Sequence, residues 1–276
     1  MTMVLQKINI QNLGFITSFS YEFTKDLNVL RDYRQAEISF AIRLILGHKI
    51  PPPLGLRAGV ETRVLASVSI FEKLYTVSAY YDKNEGIFKL SCLDTDGFDV
   101  TGEYLYSISH SREQDLSEVF EDDEDKIFLR FLKYANSELY YSHSELSKLT
   151  DGMSDIKAFR AYLRSFICNF EPEILRDGRG YEIVLERDGR YAVRCTIDGS
   201  VARRLSESER TLFKYLCFLR TAEFWRGFEE LRNINNIKKP LIISDFLDRL
   251  DESIDIEYLL DRTRNLNRQT ILLTTR

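Results

Sequence analysis

The chain has 276 residues, of which 44% are hydrophobic, and a formal net charge of −5. This length allows one large domain, or a core domain that carries an inserted lobe. Because the charges are mixed in sign and slightly acidic on balance, the composition argues against a protein that collects nucleic acid through bulk positive charge.

The residue types that form disulfides and metal sites are scattered. No C-x-x-C pair occurs, and no histidine has carboxylate or cysteine neighbours at ligand spacing, so we expect neither a disulfide framework nor a metal site. The residues concerned are Cys92, Cys168, Cys195, Cys217, His48, His110 and His143. The N-terminus lacks the pattern of a signal peptide and no apolar run is long enough to span a membrane, which predicts a cytoplasmic protein without membrane contact.

The first fifty residues predict the order strand, turn, helix. A short strand is expected around Ile8–Ile10, and Phe19, Tyr21 and Phe23 alternate with polar residues as in a half-buried strand. After a brief apolar run at 28–30, residues 36–46 carry apolar side chains at helical spacing, and Gly47 is the expected helix stop.

The middle of the chain has a different pattern. Three prolines at 51–53 are followed by predicted strands over residues 60–95, with a hairpin at 82–86. The acidic run at 118–126 is typical of a solvated loop or helix start. Residues 127–170 have mainly helical spacing without a persistent heptad repeat, so no long coiled coil is predicted.

The last hundred residues return to an alternation of strands and helices. Residues 181–198 predict two strands joined by Asp188-Gly189, and an amphipathic helix is expected from about Ser206. The apolar run at 241–243 and the final segment QTILLTTR predict two buried parallel strands. We therefore expect an α/β fold with a split core, residues 1–50 and 180–276, and an inserted β-rich and helical lobe at 51–179.

A Ser-Glu motif opens the helix of the C-terminal part. Leu205, Ser206, Ser208 and Glu209 are similar to the LSxGE signature of ABC-type ATPases, with Ser208 where glycine is expected. The alternative is a capping box, in which Ser206 accepts a hydrogen bond from the Glu209 amide and Glu209 reaches back.

The order of the segments after this motif strengthens the similarity. A strand-like run at 240–245 resembles a Walker B strand, Leu250 and Asp251 resemble a D-loop, and residues 269–275 resemble the last strand before the switch histidine. Taken together, the two ends of the chain resemble the SMC/RecF-like ABC ATPase heads of the P-loop NTPase superfamily. The resemblance implies an ABC-type head, and the alternative is an unrelated α/β domain.

The segment that would form the phosphate-binding loop lacks its essential residues. Such a loop needs glycines, a lysine and a Ser or Thr hydroxyl, but residues 31–39 contain no glycine and no lysine. In an ungapped register Glu37 replaces the lysine and Ile38 the hydroxyl, whereas alignment on the later helix implies a shortened loop. The candidate residues at this degenerate nucleotide position are Arg31, Arg34, Glu37 and Ser39.

The other residues that act on nucleotide in the same chain are also altered. Aligned on Pro240, Ser244 occupies the magnesium-binding Asp position and Asp245 the catalytic acid position. A shift by one residue makes Asp245 the magnesium-binding Asp and puts Phe246 at the catalytic acid position, so that one carboxylate survives where two are needed. The switch-histidine position falls on Arg276. We therefore expect no hydrolysis by the chain's own site, with Asp245 as a residual acid.

The better retained elements are those that act on a partner in this family. The resemblance implies that Ser206, the helix start and Asp251 could complete the ATP site of another head. ATP and Mg²⁺ are then expected only in a composite site, and the function predicted first is a non-hydrolysing partner subunit in DNA repair or anti-phage defence.

Two other functions remain open on the sequence alone. One is a structural or regulatory module that binds a protein and has lost nucleotide, and the other is a weak ATPase with a remodelled loop. DNA contact is a further hypothesis, for which the alternative is ordinary surface charge. It depends on Arg176, Arg179, Arg203 and Arg204.

Overall fold

The structure is a computed structural model that describes residues 3–48, 60–109, 181–185, 191–195, 239–244, 246–252, 254–266 and 268–276, together with Ser208, Leu212, Tyr215 and Leu219. The chain forms two compact units. The first consists of residues 1–117, 234–248 and 267–276, and the second of residues 118–233 and 249–266.

The first unit contains a five-stranded antiparallel sheet with the strand order β2-β1-β4-β5-β6. Apolar and polar residues alternate along β1 and β4, so that one face of the sheet is buried and the other is polar. The predicted strands and the hairpin at 82–86 are confirmed. The strands are β1 (Met3–Leu13), β2 (Ile16–Glu22), β4 (Arg63–Ile70), β5 (Lys73–Asp82) and β6 (Ile87–Leu93).

The same unit contains a three-stranded parallel sheet with the order β3-β10-β9. Its strands are β3 (Leu27–Arg31), β9 (Leu241–Ser244) and β10 (Thr270–Thr274). Every residue of the central strand β10 is buried, as expected for a parallel strand that is covered on both faces. The two C-terminal strands predicted from apolar runs, β9 and β10, are confirmed, and β10 pairs in parallel with both β9 and β3.

Helix α1 (Gln35–Ile45) contacts strands of both sheets and contributes much of the core. The helix ends before Gly47, which has a φ of +80° that favours glycine, so the predicted stop is confirmed. A Cβ atom on Gly47 would lie 2.3 Å from Ile108 Cδ1 on helix α2 (Thr101–Ser109). The Tyr104 hydroxyl, also on α2, donates to the Ile45 carbonyl at 2.7 Å.

The second unit is described in part. The predicted hairpin is confirmed as the antiparallel strands β7 (Tyr181–Leu185) and β8 (Tyr191–Cys195). Asp255 caps the N-terminus of helix α3 (Ile256–Arg264). Its side chain accepts a hydrogen bond from the Tyr258 amide at 3.2 Å. Four helical residues that the structure describes earlier in this unit are all buried, namely Ser208, Leu212, Tyr215 and Leu219.

The predicted α/β class, with parallel and antiparallel sheets, is confirmed. The division into a split core and an insertion at 51–179 stays a prediction. Strand β4, which lies in the predicted insertion, pairs directly with β1, which lies in the predicted core. Within the described ranges, no helix combines the length and the apolar character that a membrane crossing requires.

Candidate functional site

The predicted nucleotide position is a short turn between β3 and α1. Only three residues, Asp32, Tyr33 and Arg34, separate Arg31, the last residue of β3, from Gln35, the first residue of α1. The register of this segment against the resembling family stays a prediction. Glu37 and Ser39 lie inside the helix and not in the turn.

The turn is closed by an ion pair within itself. Asp32 Oδ1 accepts from the Arg34 amide and from Arg34 Nε, both at 2.8 Å, and Asp32 Oδ2 accepts from Arg34 Nη2 at 2.7 Å. These hydrogen bonds from Arg34 hold the pKa of Asp32 below its usual value. The carboxylate thus uses the guanidinium and the Arg34 amide, which are the groups that would otherwise attract an anion.

Aromatic rings surround the same guanidinium. Arg34 Cζ lies 5.3 Å from the centre of the Tyr33 ring and 5.7 Å from the centre of the Phe19 ring. Tyr33 is 80% exposed. Arg31, the other candidate cation, is exposed at the end of β3.

Glu37, at the lysine position of the ungapped register, is buried and holds the turn between β1 and β2. Its Oε1 accepts from the Phe15 amide at 3.3 Å. A Cβ atom on Gly14 would lie 2.8 Å from both Cγ and Oε1 of Glu37, and Gly14 has a φ of +55°. Glu37 therefore packs against the neighbouring turn, and its role in this geometry is to fix that turn.

Two buried hydroxyls lie in the segments that correspond to metal-binding positions in the resembling family. Ser39 on α1 and Ser244 at the end of β9 each have a buried Oγ that finds no hydrogen-bond partner among the described residues. Ser39 is 6% exposed. A hydroxyl buried in this way is a weak ligand for magnesium unless carboxylates accompany it.

The residue that links this end of the parallel sheet was not singled out from the sequence. Asp248 lies in a 3₁₀ turn, Leu247–Arg249, shortly after β9. Its Oδ2 accepts from Gln35 Nε2 of α1 at 2.9 Å, and its Oδ1 accepts from the Thr274 hydroxyl of β10 at 2.7 Å. The available signal was a carboxylate just beyond a buried parallel strand.

Asp248 also binds the segment that follows β10. The Thr275 amide lies 3.0 Å from both carboxylate oxygens, and the Thr275 hydroxyl donates to Oδ1 at 3.0 Å. The Arg276 amide, at the predicted switch position, donates to Oδ1 at 3.2 Å. Burial opposes ionisation, but the hydrogen bonds from Thr274, Gln35 and Thr275 outweigh it and lower the pKa of Asp248 to about 2.

In the second unit, the signature-like and D-loop-like segments contact each other. The Ser208 hydroxyl accepts a hydrogen bond from the Asp251 amide at 2.9 Å, and Ser208 is 8% exposed. Leu250 is buried, whereas Asp251 is exposed. The Ser208 hydroxyl is therefore used in a contact within the chain.

Several predicted residues lie outside the described ranges. They are the residual acid Asp245, the signature-like residues Leu205, Ser206 and Glu209, and the arginines Arg176, Arg179, Arg203 and Arg204. Among the described residues, no group of three or more His, Cys, Asp or Glu side chains is arranged to hold a metal ion.

Comparison with solved structures finds proteins of the kind that the sequence resembles. The chain is similar to the recombination mediator protein RecF-ATPrS in the RecFOR pathway, with 16% identity, a TM-score of 0.47, and coverage of 99% of this chain and 93% of that chain. The RecF-ATP structure matches with 17% identity, a TM-score of 0.47, and coverage of 99% and 94%. The SMC head domain from Thermotoga maritima matches with 14% identity, a TM-score of 0.46, and coverage of 99% and 89%.

No protein-family model matches the chain, and a search of curated protein sequences gives no match. All three structural matches have TM-scores below 0.5 and identities below 20%.

Proposed function

We propose that the chain is a degenerate SMC/RecF-like, ABC-type head that serves as a non-hydrolysing partner subunit of an ATPase complex. The observation that carries the proposal is the three-residue turn, closed by the Asp32–Arg34 ion pair, between β3 and α1. The setting that we propose, DNA repair or anti-phage defence, follows from the family that the sequence resembles.

The backbone geometry of the turn between β3 and α1 disfavours a bound phosphate. A phosphate-binding loop surrounds the β-phosphate with backbone amides, and it relies on glycines for the close approach. Here the Arg34 amide already donates to Asp32, and none of the three turn residues is glycine. A phosphate would have to displace a carboxylate that is held by three hydrogen bonds.

The negative charges near the turn also disfavour a bound phosphate. Asp32 and Asp248 accept hydrogen bonds from the turn and from the first residue of α1, and a third carboxylate, Glu37, lies on the first turns of α1. A phosphate oxygen about 5 Å from one ionised carboxylate is repelled by about 3 kcal/mol at an effective dielectric constant of about 20. Both arguments support a head that does not hold ATP in its own site.

The partner role is tested on the complex. The chain is purified from its native host under mild conditions, and ATP bound per complex is measured by equilibrium dialysis. We expect an ATPase to co-purify and to bind one ATP per pair of subunits. The proposal would be contradicted if no ATPase co-purified with the chain. It would also be contradicted if each pair of subunits bound two ATP molecules and a photoreactive ATP analogue labelled this chain.

A second candidate is a protein-binding module that has lost nucleotide altogether. The Ser208–Asp251 hydrogen bond favours it, because the hydroxyl at the signature-like position serves the chain's own packing. The Ser206→Arg substitution distinguishes the two candidates. A partner subunit that completes an ATP site would lose stimulation of its partner's ATPase, whereas a module without nucleotide would bind the partner and leave turnover unchanged.

A further inference from the structure

The carboxyl end of the parallel sheet is organised around a single side chain, Asp248. Its carboxylate joins two segments that are distant in sequence, the first residue of α1 and the end of β10. A third element, the 3₁₀ turn after β9, carries Asp248 itself. The three segments that meet here are those that follow the three parallel strands.

The donors around this carboxylate are of the kind that proteins use to bind oxyanions. They are two backbone amides, two hydroxyls and one side-chain amide, supplied by Thr275, Arg276, Thr274 and Gln35. Neutral donors of this kind are common around bound phosphate and sulfate. In this chain they converge on an anion that is part of the protein.

An ionised carboxylate is well suited to these donors, because hydrogen bonds to a charged acceptor are shorter and stronger than those between neutral groups. Without the carboxylate, the Thr274 hydroxyl, on a residue that is 1% exposed, would lose its acceptor. An unsatisfied buried donor is costly, so this end of the sheet requires an acceptor, and a charged one gives the stronger hydrogen bonds.

We propose that Asp248 is a resident anion, which closes the carboxyl end of the parallel sheet from within the chain and takes the structural place of a bound phosphate. As a consequence, the segments that follow the three parallel strands stay joined without a bound nucleotide. This inference goes beyond the proposed function and does not depend on a partner, because it concerns the isolated chain.

The test removes the carboxylate and supplies an anion from solution. Asp248→Ala is compared with wild type and with Asp96→Ala, a control at an exposed aspartate. Thermal unfolding is followed in sodium phosphate and in sodium chloride at equal ionic strength and pH. We expect Asp248→Ala to melt several degrees lower in chloride, and phosphate to recover about half of that loss. Phosphate should shift wild type and the control by less than about 1 °C.

The same measurements can overturn the proposal. Phosphate could raise the melting temperature of Asp248→Ala no more than that of Asp96→Ala. This result would show that the donors do not form an anion site. Asp248→Asn keeps the side-chain size and removes the charge, and it serves if the alanine variant does not fold. A melting temperature equal to wild type in Asp248→Asn would also overturn the proposal, whereas a lower one supports it.

Discussion

The side-chain amide of Gln269 pairs with the backbone of Leu5 as a neighbouring strand would. Gln269 Oε1 accepts from the Leu5 amide at 2.8 Å, and Nε2 donates to the Leu5 carbonyl at 2.8 Å and to the Thr24 carbonyl at 2.7 Å. Because Gln269 directly precedes β10 and Leu5 belongs to β1, this one residue connects the parallel sheet to the antiparallel sheet.

Replacement of Gln269 by alanine should be strongly destabilising. Gln269 is 1% exposed, so its removal leaves the amide and the carbonyl of Leu5 without these partners in the interior, and the carbonyl of the exposed Thr24 also loses its donor. We expect a loss of about 2 to 4 kcal/mol in the free energy of unfolding, measured by urea denaturation. Gln11→Ala, at an exposed position of β1, is the matched control and should change stability by less than about 0.5 kcal/mol.

Substitution of Gly14 tests the contact between the β1–β2 turn and Glu37. The φ of +55° disfavours alanine, and the new Cβ would lie 2.8 Å from Glu37 Cγ. Gly14→Ala should cost about 1 to 3 kcal/mol. Gly102→Ala is the control, because Gly102 lies in α2 with no atom within 4 Å of the added Cβ. It should be neutral or slightly stabilising, and equal effects of the two changes would contradict the account.

Replacement of Ser208 by glycine should lower the stability of the protein. Ser208→Gly removes the acceptor of the Asp251 amide and places glycine at a helical position. We expect a loss of about 1 to 2 kcal/mol in chemical denaturation, together with no gain of ATPase activity. Ser208→Ala separates the two effects, since it deletes the hydroxyl without adding backbone freedom. A fully stable Ser208→Gly variant would show that the hydrogen bond contributes little.

The role of Asp248 predicts a specific dependence on pH. Its pKa falls from an ordinary value of 3.8 to about 2 in the folded chain, so its contribution is present above about pH 4 and is lost as the pH falls towards 2. Wild type should exceed Asp248→Asn by about 1 kcal/mol near neutral pH, with allowance for the partial exposure of this residue. In urea unfolding between pH 6 and pH 3, this difference should shrink at the acidic end; a constant difference would contradict the assignment.

The sequence predicted the elements that depend on local pattern. The apolar runs at 241–243 and 271–273 are typical of buried parallel strands, and both strands are present. Gly47 predicted the end of α1 because only a residue tolerant of positive φ suits that position. Alternation of apolar and polar residues in β2, and Asp188-Gly189 between β7 and β8, indicated the two further strand pairs correctly.

The contacts that define the candidate site were out of reach of local pattern. Asp248 meets Gln35 across 213 residues, and Gln269 meets Leu5 across 264, so no spacing rule connects the partners. The sequence left two registers open for the turn after β3, because both fit the same residues, and it did not indicate that α1 begins as early as Gln35. Glu37 was interpreted as a lost lysine, whereas its observed contact is with the Phe15 amide.

We propose above that this chain does not hold ATP in its own site. Isothermal titration of ATP with Mg²⁺ into the purified chain, followed by an assay of phosphate release on the same sample, tests it most directly. The account predicts no saturable heat at ATP concentrations up to about 1 mM, a limit that corresponds to about 4 kcal/mol of binding free energy, and no turnover. Micromolar binding with phosphate release by the chain alone would contradict it.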